Sequence, residues 1–277
     1  MDLIQAIVLG VIQGLTEFLP VSSSAHIRIV PSLLGWPDPG AAFTANIQLG
    51  TLLAVLIYFW KDLSRILKGW VASLANPAKR GTTESKLGWG IAIGSIPIIV
   101  LGYLLKDQIE TSLRSLYVIA GMLVFMAILL WIAEKFSKKT RDLDSLTPKD
   151  GLIIGLFQAI ALIPGASRSG STITGGLLLG LDRETAARYS FLLSVPSIFL
   201  AAVYTAFKHR AEFSGAVLTP LLVANAFSFI VGYACIAFLI NFLKNNSNAV
   251  FIGYRILLGA AILALLATGK LSEFAGM

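Results

Sequence analysis

Charge is what this sequence has least of. Asp, Glu, Lys and Arg make up 13% of its 277 residues, about half the share found in soluble domains. With 56% hydrophobic residues and a mean hydropathy of +0.79, that shortage excludes an ordinary soluble enzyme. A single cysteine, Cys235, lies inside an apolar run, so neither a disulfide framework nor a Cys-based zinc site can be built. Two histidines, His26 and His209, are too few for a multi-histidine metal centre. Twenty-two bases against fifteen acids leave +7, yet the bases form no stripe interleaved with aromatics, which excludes the usual footprint for nucleic acid. Anionic headgroups and an anionic substrate are the partners this charge suits.

What the chain does have is long apolar runs. Six of them, 41–60, 87–105, 116–133, 189–207, 221–243 and 250–267, are long enough for a helix to cross a hydrocarbon core, which needs roughly 17 to 25 residues. Two further stretches, 3–19 and 151–163, instead end in Pro20 and Pro164, each followed by a serine cluster and a second short apolar piece, 27–34 and 172–181. Helix, polar elbow and helix in that order predict two re-entrant hairpins, because irregular backbone at membrane depth must be buried or line a cavity. The expected fold is an all-α integral membrane protein with six transmembrane helices and two re-entrant helical hairpins. The first stretch lacks the basic start and small-residue cleavage site of a signal peptide and reads as mature protein.

Lysine and arginine concentrate in 61–86 and 135–150, while 106–115 holds only Lys106 and Arg114. The positive-inside rule puts the two rich loops in the cytoplasm, the first hairpin and both termini outside, and the second hairpin on the cytoplasmic side. Within 61–86, Leu63, Ile66, Leu67, Trp70, Val71 and Leu74 recur at helical spacing opposite Lys61, Arg65 and Lys68, which predicts an interfacial helix.

The hairpins resemble each other. Gly10-Val11-Ile12-Gln13 followed by Pro20-Val21-Ser22-Ser23-Ser24 parallels Gly155-Leu156-Phe157-Gln158 followed by Pro164-Gly165-Ala166-Ser167-Arg168-Ser169. Each half, approximately 1–135 and 150–268 of a single 1–277 membrane domain, is one hairpin plus three spans. An odd number of crossings inverts the second copy, and inverted repeats with broken helices place their site where the repeats meet.

Only Glu17 among the fifteen acids lies well inside an apolar segment, where an ionisable group costs roughly 2.5–3.5 kcal/mol and is a functional candidate by default. Gln13 precedes it by one helical turn on the same face. His26 follows Ser22, Ser23 and Ser24 closely and can serve as base, acid or nucleophile; in isolation, a helix-capping serine beside an incidental histidine would explain the pattern better, and the company of the second elbow shifts that balance. The second elbow, with Ser167, Arg168, Ser169, Ser171 and Thr172, is a Gly/Ser/Thr-rich turn that opens a helix, which suits a phosphate through aligned N–H donors and a bidentate guanidinium. It is not a P-loop, having no Walker pattern. Asn46, Gln48, Asn225 and Ser228 read as interhelical hydrogen-bond partners, Arg255 as a side chain snorkelling to the cytoplasmic headgroups, and His209 as a solvated loop residue.

The run from Gln13 to His26 and the run from Pro164 to Thr172 closely resemble the two signature motifs of the undecaprenyl-diphosphate phosphatase family of the bacitracin-resistance type. The Ile47-Gln48-Leu49-Gly50 run is similar as well, so the resemblance covers nearly the whole chain. It implies a bacterial inner-membrane phosphatase that converts undecaprenyl diphosphate to the monophosphate carrier for cell-wall synthesis, confers bacitracin resistance, opens to the outer face and depends on Mg2+ or Ca2+. By the same resemblance, Glu17, Ser23, His26 and Arg168 are catalytic, with Glu17 also a metal ligand, and Gln13, Ser22, Ser167, Arg168, Ser169 and Thr172 contact substrate. Gln13 stands where the motif admits Glu or Gln, leaving one carboxylate, and Ala25 stands where glycine is common. Ser23 is the preferred nucleophile, His26 a close competitor, and water held by Glu17 and the cation a third. A secondary transporter or lipid flippase is the alternative from another class, and an intramembrane serine protease a poorer one, since it leaves Arg168 unused. Undecaprenyl diphosphate and membrane lipids are the expected partners, with homo-oligomerisation open and no nucleic acid.

Overall fold

The computed structural model describes residues 1–209 and 215–276. Six helices are long and apolar enough to cross a membrane: Gly40–Tyr58, Thr83–Leu104, Leu116–Phe136, Arg183–Thr205, Leu218–Asn245 and Ala249–Ala267. Each overlaps one of the six expected runs, and the protein is a multi-pass membrane protein. The first is interrupted at Ile47, dividing it into α3 (Gly40–Asn46) and α4 (Gln48–Tyr58). The remaining elements, in chain order, are α1 (Leu3–Phe18), α2 (Ser23–Leu34), α5 (Trp60–Ala75), α6 (Thr83–Leu104), α7 (Lys106–Glu110), α8 (Leu116–Phe136), α9 (Pro148–Ile160), α10 (Arg168–Leu178), α11 (Arg183–Lys208), α12 (Leu218–Asn245) and α13 (Ala249–Ala267).

Two boundaries differ from the sequence reading for one reason. Helices α2 and α10 begin inside the serine clusters, four residues before the expected 27 and 172, because Ser22 and Ser167 cap them. Ser22 Oγ accepts from Ala25 N and Ser167 Oγ from Gly170 N at 3.1 Å. Both serines sit at positive φ, 77° and 71°, in a region side chains rarely occupy, so each elbow holds its cap against backbone strain. Helix α11 likewise starts at Arg183 because Asp182 accepts from Thr185 N at 2.8 Å.

The two halves pack alike. Helix α1 lies against α12 much as α9 lies against α6. At matching positions, a Cβ on Gly10 would meet Ala224 O at 2.3 Å and one on Gly155 would meet Gly94 O at 2.1 Å. Only glycine permits either approach. Ion pairs sort to two ends of the bundle. Asp62–Arg188 (2.8 Å), Arg141–Asp150 (2.8 Å) and Glu134–Arg183 lie at one end; Arg114–Asp38 (2.6 Å) and Lys208–Glu110 (3.0 Å) lie at the other. Glu110 holds the Lys208 ammonium above its ordinary range through their hydrogen bond. Helix α5 packs against α6 with Ile66 inward and Leu67, Val71 and Leu74 exposed, as an interfacial helix would.

Candidate active site

The two elbows touch. Ser24 Oγ accepts from Gly165 N at 3.2 Å, and Ser169 Oγ donates to Leu19 O at 3.0 Å. Their serines mirror one another: Ser22 and Ser24 hydroxyls lie 3.1 Å apart, Ser167 and Ser169 hydroxyls 3.2 Å apart. The N-termini of α2 and α10 therefore open beside each other, and their dipoles favour negative charge in the space they share.

Glu17, the last polar residue of α1, reaches this point and is almost buried, at 7% exposure. Its Oε2 accepts from Ser23 Oγ at 2.6 Å and from Gln13 Nε2 at 3.0 Å, and its Oε1 lies 3.2 Å from Arg168 Nη2. One carboxylate thus gathers three of the residues read from the sequence. Arg168 Nη2 also donates to Gln48 Oε1 at 2.6 Å. The short Ser23 to Glu17 bond aligns a hydroxyl with a base, and a guanidinium beside it can grip a phosphate.

His26 is close by but bonded elsewhere. Its Nδ1 lies 2.7 Å from Ser22 O and its Nε2 2.6 Å from Tyr254 Oη. A carbonyl only accepts, so Nδ1 carries the proton, and in the neutral ring Nε2 accepts from the tyrosine. Glu17, Ser23 and His26 therefore fall into two adjoining pairs, Glu17 with Ser23 and His26 with Tyr254. Ser22, Ser167, Ser169 and Thr172 are buried and shape the elbows: the first two as caps, Ser169 as a strut, and Thr172 through bonds to Arg168 O at 2.8 Å and Ser190 Oγ at 2.5 Å.

Arg255 overturns its sequence reading. It is fully buried rather than snorkelling. Its guanidinium donates to Pro20 O (3.2 Å), Gly165 O (3.0 Å), Ala166 O (2.9 Å), Leu123 O (3.1 Å) and Met122 O (3.3 Å). The elbows leave carbonyls without helical partners away from water, and a five-donor side chain is what satisfies them. Sequence reasoning finds neither Tyr254 nor Arg255 as a site residue. The available signal is a polar pair, Tyr254-Arg255, inside an otherwise apolar run.

Asn46, Gln48, Asn225 and Ser228 are interhelical partners as expected, Gln48 through Arg168 itself. For a divalent cation, the structure gives one favourable observation: Gln13 Oε1 is buried with no hydrogen-bond partner, an oxygen free to ligate beside Glu17. Among the described residues there is no group of three or more His, Cys, Asp or Glu able to hold a metal. A cation would accordingly depend on substrate oxygens for most of its shell, as Mg2+ commonly does.

Residues 6–261 match the family described as bacitracin resistance protein BacA. The chain is 56% identical to a protein of Chloroherpeton thalassium named undecaprenyl-diphosphatase, over 99% of this chain and 100% of the relative. Relatives of the same name from Chlorobium limicola and Chlorobaculum tepidum are 55% and 51% identical, each over 98% of this chain and 99% of the relative. With the elbows, the buried glutamate and the arginine in the order the motifs demand, and the match running nearly end to end, the chain belongs to the bacitracin resistance protein BacA family.

Proposed function

We propose that the protein is a membrane phosphatase that hydrolyses undecaprenyl diphosphate to undecaprenyl phosphate and inorganic phosphate, recycling the lipid carrier for cell-wall synthesis and so opposing bacitracin. The observation that carries this reading is the 2.6 Å bond from Ser23 Oγ to Glu17 Oε2 with Arg168 on the other carboxylate oxygen. Phosphoryl transfer needs chiefly positioning and electrostatic stabilisation, and these three side chains supply a nucleophile, its base and a clamp.

In the mechanism we favour, the terminal phosphate lies over the paired N-termini of α2 and α10, with its oxygens on Arg168. Ser23 Oγ gives its proton to Glu17 and attacks phosphorus; the bond to the bridging oxygen breaks and undecaprenyl phosphate departs. Water then attacks the phosphoserine, giving its proton to His26; the proton held by Glu17 returns to Ser23 Oγ as the phosphoserine bond breaks, and inorganic phosphate is released. Glu17 and Gln13 Oε1 are the groups that would hold Mg2+ or Ca2+, whose contribution would be neutralisation of diphosphate charge. We further infer an inverted repeat in which the hairpins are re-entrant from opposite faces, in a bacterial inner membrane, with the site opening outward. The paired elbow geometry and the lysine and arginine distribution support that arrangement.

The test is phosphate release by purified protein in detergent with C15 and C55 diphosphates. Release is expected; none would leave the transporter or lipid-flippase reading. Ser23→Ala should then abolish turnover, while His26→Gln should slow it by about 10²- to 10⁴-fold, the usual worth of proton transfer. The reverse order would make His26 the nucleophile. Acid and alkali treatment of quenched enzyme distinguishes a phosphoserine from an acid-labile phosphohistidine. Activity in both variants would point to direct attack by water.

A further inference from the structure

The break between α3 and α4 is unexplained by the reaction as described, and its polar company is specific. At membrane depth an interrupted helix exposes backbone groups that must find other partners. Here they come from α12. Gly50 N donates to Asn225 Oδ1 at 2.8 Å, and Ser228 Oγ donates to Ile47 O at 3.0 Å. Asn225 Nδ2 also lies 3.4 Å from Asn46 Oδ1, on the far side of the break. Helix α4 is pressed onto α12 at this level, since a Cβ on Gly50 would lie 2.2 Å from Asn225 O. The same stretch of α12 receives α1 at Gly10 and Gly14, so one helix registers both the Glu17-bearing α1 and α4.

The interruption makes Gln48 the first residue of α4 and brings its carboxamide to Arg168, Oε1 to Nη2 at 2.6 Å. Arg168 is therefore held from two directions at the same nitrogen, by Glu17 and by Gln48. Among the described residues no partner is found for Arg168 Nε or Nη1. That leaves three N–H groups free, one on Nε and two on Nη1, and because all of them lie in the guanidinium plane, the plane's orientation decides which phosphate oxygens they can reach.

We propose that Gln48 is a positioning residue of the active site. It locks the plane of Arg168 so that the free N–H groups of Nη1 and Nε are aimed at the phosphate, and Asn225 on α12 is the group that holds the helix break on which this depends. The inference rests on the phosphatase reading and adds to it a fourth side chain and the reason for the broken span.

A double-mutant cycle tests it. Gln48→Met removes the acceptor at nearly constant volume and should lower kcat/KM by about 10- to 100-fold, the range for a hydrogen bond to a charged group, while the melting temperature in detergent stays near that of the parent. In an Arg168→Lys background the same change should cost less than about threefold, because the plane it fixes is gone. An equal fold-loss in both backgrounds would overturn the proposal and leave Gln48 a packing residue. Should Gln48→Met fail to fold, Gln48→Asn keeps the amide and shortens the reach; it should show the same loss and the same non-additivity. Arg168→Lys at the parent rate would instead refute the phosphate clamp, so the two readings fail separately. Asn225→Ala should reproduce the Gln48→Met loss in the parent background, and that loss should vanish in the Arg168→Lys background; a full-rate Asn225→Ala would remove Asn225 from the proposal.

Discussion

Arg255 illustrates what a single residue can do in a protein with so few charges. Five carbonyls from three segments, the two elbows and α8, converge on one guanidinium, and the three on the elbows would otherwise be unsatisfied buried acceptors costing about 1–3 kcal/mol each. Arg255→Lys keeps the charge but offers three donors from one point, so at least two carbonyls lose their partner. The variant is expected to melt several degrees lower in detergent and to lose activity with it, measured by thermal denaturation and phosphate release on the same sample. An unchanged melting temperature would mean that water replaces the lost donors. Nothing local marks this role, because Pro20 lies 235 residues away along the chain and His26 lies 228 residues from its partner Tyr254. Glu17 and Arg168 are legible in the sequence because each is polar where its neighbours are apolar. Arg255 meets the same criterion, but it sits near a helix end, where snorkelling is the simpler expectation.

At the scale of the element, serines that read as loop are helix. Proline and serine clusters signal an interruption reliably, but where a helix restarts depends on which hydroxyl caps it, and that is fixed by the positive φ of Ser22 and Ser167. The break at Ile47 has no proline or glycine pair to announce it; its partners, Asn225 and Ser228, come from another helix. The matched glycines give a test of how α1 carries Glu17. Gly10 lies about two turns before Glu17 and admits no Cβ, whereas a Cβ on Gly121 of α8 would find nothing within 4 Å. Gly10→Leu should displace α1, cost more than the usual 1–3 kcal/mol of overpacking because the obstacle is backbone, and abolish phosphate release. Gly121→Leu should stay within about 0.5 kcal/mol of the parent. Equal behaviour of the two would show that α1 tolerates a shift against α12.

For the whole molecule, loop charge foretells an order that the contacts respect: residues assigned to the cytoplasm, such as Asp62 and Arg188, pair with each other, as do Glu110 and Lys208 from the opposite side. The orientation can be measured directly, because Cys235 is the only cysteine and is buried. In a Cys235→Ala background, Lys106→Cys should react with an impermeant maleimide in intact cells and Arg80→Cys only after permeabilisation. The opposite pattern would invert the protein and send the proposed site to the other face.

The reach of α13 onto both elbows also sets an order of events during synthesis. Chains fold from the N-terminus as they emerge, so the first hairpin is made and inserted long before Arg255 exists. Until α13 arrives, Pro20, Gly165 and Ala166 lack the donor that satisfies them, and His26 lacks Tyr254. The proposed phosphate seat is thus completed by α13, made after the other five described spans, and a nascent chain still being inserted carries every motif of the enzyme without its assembled active site.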